Sequence, residues 1–189
     1  MSHVLVVGGT GMLRKVVLHF ARQGCWVSVV ARTSESMTQL LAESRAATGQ
    51  IDPIIVDYSN ESALRLALAD AVAARGPFRL AVIWIHSDSP RALVVVAETL
   101  GAQGSECNLF HIMGSCAADP SKHADQSALL FAGRTRLTYH SIVLGFKTDG
   151  VRSRWLTDEE ICDGVIHAIE TDAAEHVVGT VRPWSKRPS

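Results

Sequence analysis

Hydrophobic and polar positions in this chain alternate between two periods. Residues 3–7 (H-V-L-V-V) are a short β-branched run, and residues 12–23 switch to helical spacing with Val16, Val17 and Phe20 on one side. Gly24 stops that helix. The alternation then repeats, with a strand at 26–31, a helix at 34–48 closed by Gly49, and a strand at 53–56. A helix at 60–74 opens on the cap-like S-N-E-S and ends at Gly76. A strand at 78–85, a helix at 90–100 with Pro90 in its first turn, and a strand at 107–113 follow. Residues 120–133 are weakly patterned and read as one short helix before a strand at 137–144. The helix at 157–170 is the best marked: Thr157 and Glu160 have capping-box spacing, and Ile161, Val165 and Ile169 form its apolar stripe. A last strand is expected at 176–181, and residues 183–189 are expected to be a loose tail.

Strands alternating with helices of this length imply β-α-β units and a parallel sheet covered on both faces. The near-continuous apolar strands agree, because a doubly covered strand need not alternate. The expectation is a Rossmann-type, doubly wound α/β domain with six or seven mostly parallel strands. No linker rich in Pro, Gly or Ser divides the 189 residues, so 1–189 reads as one domain.

Charge and composition remove some function classes. A formal net charge of −1 offers no basic face to nucleic acid. No apolar run approaches the ~18–20 residues of a membrane span. The start Met-Ser-His has neither the basic flank nor the cleavage site of a leader, so a cytoplasmic location is expected. Cys25, Cys107, Cys116 and Cys162 are scattered without a C-x-x-C, the pattern of free thiols, and Cys116 stands out for lying just past a strand end. No pair of histidines has metal-ligand spacing on one helix face, so no metal is expected.

Ligands of such sheets bind beyond the carboxyl ends of the strands. After the first strand comes Gly8-Gly9-Thr10-Gly11-Met12-Leu13-Arg14. Glycines there allow a tight turn and close approach of a pyrophosphate to the amides and dipole of the next helix. The second strand ends in Arg32, Thr33 and Ser34, where an acidic residue would suit the 2′-hydroxyl of NAD. A guanidinium with hydroxyls suits the 2′-phosphate of NADP, and Arg14 could add a second cation. The predicted cofactor is therefore NADP(H).

This turn resembles that of the extended and atypical short-chain dehydrogenase/reductases, which commonly read G-G-T-G-x-(I/L)-G. Gly8, Gly9, Thr10, Gly11 and Leu13 match, while Arg14 replaces the third glycine and must point outward or push the helix away. The resemblance implies an adenine contact at Asp57, with Tyr58 lining the same pocket. It implies a cofactor-facing loop at His86 and Ser87, where H-S-D departs from the small residues usual in the family. It also implies a carbonyl-binding serine at Ser115, next to Gly114, and a nicotinamide contact at Gly145 and Phe146. A small bacterial subgroup is similar in its G-G-T-G-M-L turn and its S-R-W-L-T-x-E-E-I segment.

The family's Y-x-x-x-K is missing. Tyr139 is followed four residues later by Val143, and it lies early in its strand, about five residues at ~3.3 Å each from the carboxyl end. Candidate acids are His86, Asp88, Lys122, His123 and Lys147, with His86 preferred because imidazole titrates near neutrality. His111, inside an apolar strand, reads as core. Arg152, Arg154 and Trp155 could form a substrate lip.

The leading expectation is an NADP(H)-dependent oxidoreductase reducing a small carbonyl or imine through Ser115 and His86. The alternatives are a non-catalytic NADP(H) sensor, and a cyclase or lyase that reuses the pocket. The apolar stretch 92–100 fits a homodimer face or core equally.

Overall fold

The computed structural model describes residues 1–86, 89–119 and 127–188. The main elements are β1 (His3–Val7), α1 (Arg14–Arg22), β2 (Trp26–Ala31), α2 (Ser34–Glu43), β3 (Gln50–Ile55), α3 (Glu61–Arg75) and β4 (Leu80–Trp84). They continue with α4 (Pro90–Ala102), β5 (Cys107–Met113), β6 (Leu137–Leu144), β7 (Phe146–Thr148), β8 (Ser153–Trp155), α5 (Asp158–Glu170) and β9 (Glu175–Val178). Seven strands form one sheet in the order β3-β2-β1-β4-β5-β6-β9, and every pairing in it is parallel. This is the doubly wound α/β architecture expected from the alternation.

Each face of the sheet carries its own core. Val4, Val6, Val27 and Val29 look toward α1, α2 and α5, where Val16, Val17, Leu40, Ile161 and Val165 meet them. Leu5, Val7, Ile83 and Leu109 look the other way, toward Leu64 and Leu68 of α3 and Val95, Val96 and Leu100 of α4. The strands are apolar on both sides because both sides are covered. Helix α4 buries Ala92, Leu93, Val95, Val96, Ala97 and Leu100 within the chain, so core packing takes the apolar residues of that stretch.

Local signals set the helix ends. Asn60 caps α3 by accepting the Ala63 N–H at 3.1 Å. Both halves of the Thr157–Glu160 capping box form at α5. Helix α2 is shorter than its apolar pattern suggests: it ends at Glu43, and a 3-10 turn over Ser44–Ala46 follows. In the weakly patterned region, residues 120–126 lie outside the described residues, and only a short 3-10 turn (Ser127–Leu130) follows them.

Beyond shifted element bounds, the chain departs from the sequence reading in its hairpin and its C-terminal segment. Residues 146–155 form the β7–β8 antiparallel hairpin, with Phe146 opposite Trp155. Its turn is fastened by the Asp149 carboxylate, which accepts the N–H groups of Val151 (2.8 Å) and Arg152 (2.7 Å). Those bonds hold Asp149 below the usual carboxylate range. The C-terminal segment is also not loose. A 3-10 turn covers Trp184–Lys186, Lys186 Nζ donates to the Gly150 carbonyl on the hairpin turn, and Arg187 reaches Ser115. These polar anchors come from parts of the chain remote in sequence, which local composition does not show.

At the amino end of the central strand β1, His3 is buried, with Nδ1 donating to the Gly76 carbonyl at 2.7 Å and Nε2 2.9 Å from Ser28 Oγ. Since a carbonyl only accepts, the neutral ring carries its proton on Nδ1, and Ser28 donates to Nε2. Burial lowers the His3 pKa below 6.5, more than the Gly76 bond raises it. Burial, then His167, lowers His176 as well. A lowered imidazole pKa means that the unfolded chain takes up protons first. Stability is therefore full above pH ~6.5 and falls as the pH drops toward the folded pKa values. Urea midpoints measured between pH 7.5 and 5.5 are expected to decline, and less steeply in His3→Gln. An equal slope in that variant would remove His3 from this account.

Candidate functional site

The carboxyl ends of the strands bring most of the singled-out residues to one edge. Val7 leads into the glycine turn, Ala31 into Arg32, Trp84 toward His86, Met113 into Gly114-Ser115 and Leu144 into Gly145. β1 sits between β2 and β4, so the glycine turn opens at the topological switch point.

The turn is built for close approach. Gly8 has φ +84, a conformation L side chains rarely adopt, and a Cβ there would lie 3.1 Å from the Trp84 carbonyl. At Gly9 a Cβ would stand 2.7 Å from Val17 Cγ2 and 2.9 Å from Val29 Cγ1, so Gly9 is what lets α1 lie against the sheet. Above Gly11 a Cβ would meet nothing within 4 Å. Helix α1 begins without a side-chain cap and without a carboxylate in its first turn, leaving its positive end for an anion. Thr10, Gly11, Met12, Arg14 and Lys15 line a hollow of about 290 Å³, with Asp158, Glu159 and Cys162 across from them. Lys15 pairs with Glu159 there. Leu13 is buried in the core, so its side chain faces no ligand.

Arg14 points outward, the first of its two options, because Gly9 already provides the close packing. Its guanidinium donates to the Thr10 carbonyl (3.0 and 3.3 Å), to Glu43 (2.7 Å) and to Gln39 (3.3 Å). Four of its five N–H donors thus tie the glycine turn to α2, and the same side chain still borders the hollow at the turn.

Arg32 is exposed and has no carboxylate partner among the described residues. Thr33 is the uncapped N-cap of α2, with its hydroxyl 3.0 Å from Ser36 Oγ, and Ser34 is the first helical residue. Asp57 is in the same neighbourhood, held below the usual carboxylate range chiefly by the Ser59 N–H and slightly by Arg32. Tyr58 packs against the α3/α4-side core, away from any open pocket described at this edge.

Trp84 and Cys162 at this edge were missed in the sequence reading. The Trp84 side chain lies beside Gly8 and also within 3.8 Å of where a Gly114 Cβ would be, so it bridges the glycine turn to the end of β5. A tryptophan closing an apolar strand was the available signal. Cys162, on α5, is buried and donates from Sγ to the Met12 carbonyl at 2.9 Å. Burial raises its pKa although the Lys15 and Val16 amides face its sulfur.

Ser115 is buried at the end of β5, beside a hollow of about 200 Å³ lined by Gly114, Leu144, Gly145, Trp155, Leu156 and Ile161. Arg187 Nε donates to Ser115 Oγ at 3.0 Å. The guanidinium lies 5.0 Å from the Trp155 ring and 5.3 Å from the Trp184 ring, within cation–π range. Nothing in the local sequence flagged Arg187. Cys116, the thiol singled out, is exposed and lies 3.8 Å from Arg187 Nη2.

The remaining candidates divide. Trp155 lines the hollow, but Arg154 forms a two-pronged pair with Glu160 (2.8 Å each), and Lys147 joins Glu160 at 2.6 Å. These cations and the Thr157 N–H hold the Glu160 carboxyl far below its usual range. Lys147 is thus a structural partner and not an available acid. Phe146 is corrected: its ring is fully buried, and its N–H and carbonyl are both bonded to Thr180 (2.8 and 2.9 Å), so it presents nothing to a ligand. His86 is exposed at the end of β4, 5.7 Å from the Trp84 ring. Ser87, Asp88, Lys122 and His123 lie outside the described residues.

Tyr139 does not reach this edge. Tyr139 pairs with Leu109 in the first half of β6, and its hydroxyl is 2.9 Å from Nδ1 of the buried His111.

No family model matches the chain. The chain is 37% identical over 117 residues to the probable galactose dehydrogenase GalD of Rhizobium meliloti (strain 1021), a match spanning 61% of this chain and 46% of the relative. The chain thus matches less than half the length of that relative. Among solved structures it is similar to a short-chain dehydrogenase/reductase from Mycobacterium marinum (TM-score 0.74, 16% identity, 96% of this chain and 95% of that one). It is also similar to actinorhodin polyketide ketoreductase with NADPH (TM-score 0.71, 16% identity, 95% and 96% covered). An alcohol dehydrogenase from Comamonas testosteroni resembles it too (TM-score 0.70, 12% identity, 98% and 89% covered). At these identities the structures establish a shared fold. That fold is the parallel α/β fold these dehydrogenase and reductase structures have in common with the chain.

Proposed function

We propose that this chain, built on the short-chain dehydrogenase/reductase fold, is an NADP(H)-dependent oxidoreductase that reduces a small carbonyl or imine. It would be an atypical one, without Y-x-x-x-K. The observation that carries the reading is the placement of buried Ser115, with its own hollow, on the same sheet edge as an uncapped glycine turn and an unpaired Arg32.

The residues present fit the cofactor. The turn from Gly8 to Leu13 offers amides and open space above Gly11 to a pyrophosphate. Arg32, with the Thr33 and Ser34 hydroxyls nearby, suits a 2′-phosphate, and Gly145 lies beside Ser115. When bound, reduced nicotinamide supplies a hydride. This chain supplies a hydrogen bond to the acceptor from the Ser115 hydroxyl, beside a hollow walled by Leu144, Leu156 and Ile161. The overall change is carbonyl plus NADPH plus H⁺ giving alcohol plus NADP⁺. His86, an exposed imidazole at this edge, is the candidate proton donor.

The missing Y-x-x-x-K, with Tyr139 early in β6, favours a second reading, a nucleotide-binding protein without turnover. One pair of measurements separates the two. Titration is expected to show NADPH bound more tightly than NADH, and Arg32→Ala to weaken NADPH by about tenfold to a hundredfold while leaving NADH unchanged. Equal affinities for the two cofactors would defeat the role given to Arg32. NADPH oxidation against a panel of small carbonyls and imines tests turnover. Tight binding with no oxidation across the panel would favour the sensor.

A further inference from the structure

Ser115, which borders the hollow, is bonded to a charge that the reductase reading does not use. Arg187 comes in from the C-terminal segment, 72 positions away, and its Nε donates to Ser115 Oγ at 3.0 Å. It has no carboxylate partner among the described residues. The neighbouring cations Lys147 and Arg154 are both paired with Glu160. Trp155 and Trp184 flank the guanidinium, and Lys186 anchors the segment on the Gly150 carbonyl, so the group is held in place.

The geometry points to Arg187 as a substrate-binding residue that takes a carboxylate, which makes the substrate of this site a small oxo acid or its imine. The inference rests on the reading of Ser115 as the group that meets the acceptor. Its chemistry is direct. A hydroxyl has one hydrogen, and because Ser115 Oγ already accepts from Arg187 Nε, that hydrogen is left to donate into the hollow. The same guanidinium keeps both hydrogens on Nη1 and, beside its 3.8 Å bond to Cys116 Sγ, a second hydrogen on Nη2, a fork that matches the two oxygens of a carboxylate. Carbonyl oxygen on Ser115 and carboxylate on Arg187 are adjacent demands, met by a compound that carries both groups close together. The other lining groups, Leu144, Leu156, Ile161 and the Trp155 ring, suit a short apolar chain.

The test uses 2-oxobutyrate and its methyl ester, which share the carbonyl and differ in charge. Trp155 and Trp184 beside Arg187 provide the signal, so binding is followed by tryptophan fluorescence on the whole protein, with and without NADP⁺. The acid is expected to saturate the change and the ester to bind at least about tenfold more weakly. Arg187→Gln is expected to raise the Kd for the acid by about tenfold or more, with the ester and NADPH within about twofold. Arg187→Lys, which keeps the charge and loses the fork, is expected to fall between them. Arg187 is exposed, so unchanged melting temperatures are expected in both variants. The inference is overturned if wild-type protein fails to bind the acid, if acid and ester bind alike, or if neither variant changes acid affinity. NADPH oxidation, measured separately, judges the reductase reading. Arg187-dependent acid binding without oxidation upholds the inference and sinks that reading, and oxidation with Arg187-indifferent acid binding does the reverse.

Discussion

Gly145→Ala is expected to lower the melting temperature by about 6–12 °C, the equivalent of about 3 kcal/mol for a chain of this size. A Cβ at position 145 would stand 2.2 Å from the Thr180 carbonyl oxygen, 2.7 Å from its carbon and 3.1 Å from its nitrogen. All three are backbone atoms, and they are fixed by the reciprocal Phe146–Thr180 hydrogen bonds. The methyl therefore cannot be absorbed by a rotamer change, and one strand must move from the other. Gly145 also lines the hollow at Ser115, and Thr180 leads into the segment that carries Arg187. The same substitution should therefore weaken ligand binding at that hollow. Gly11→Ala is the control: it meets nothing within 4 Å, so stability should stay within about 0.5 kcal/mol while NADPH binding weakens. A thermal melt of both variants checks the pair, and a Gly145→Ala protein as stable as wild type would contradict the packing described.

The contrast between those glycines shows what the sequence made legible. Strands β1, β2, β5 and β6 have the bounds that apolar runs alone suggest, because a strand covered on both faces writes its burial into consecutive residues. The capping box at Thr157 was equally local and equally readable. The β7–β8 hairpin was not, since three-residue strands are too short to show a period of two; only Asp149-Gly150 between them carried a turn signal. Arg14 looked like a ligand cation, and its actual partners, Gln39 and Glu43, became visible only when α2 packed beside the turn. At the site, Gly8 to Gly11 and Ser115 were found from motif and strand order. Arg187 and Cys162 were not, because their contacts to Ser115 and Met12 span 72 and 150 positions, and no local pattern encodes such a pairing.

Ser115→Ala is expected to lower kcat/KM for the accepted substrate by about a hundredfold to a thousandfold, the usual loss when one preorganised donor to a developing oxyanion is removed. The magnitude should fall at the upper end here. Tyr139, bonded to His111 in the first half of β6, does not share the load. The Ser115 hydroxyl is also strengthened as a donor by accepting from the Arg187 guanidinium, and alanine removes both effects at once. Stability should change little, because Arg187 is exposed and water replaces its lost acceptor. NADPH affinity should stay within about twofold, since the turn at Gly8 and the cation at Arg32 are untouched. Ser115→Thr restores a hydroxyl at the cost of one methyl beside the hollow, and partial recovery of kcat is expected from it. Steady-state kinetics on the three proteins, with NADPH titrations alongside, separate a lost donor from a lost cofactor site. Unchanged kcat/KM in the alanine variant would remove Ser115 from the chemistry and leave the edge as a nucleotide site alone.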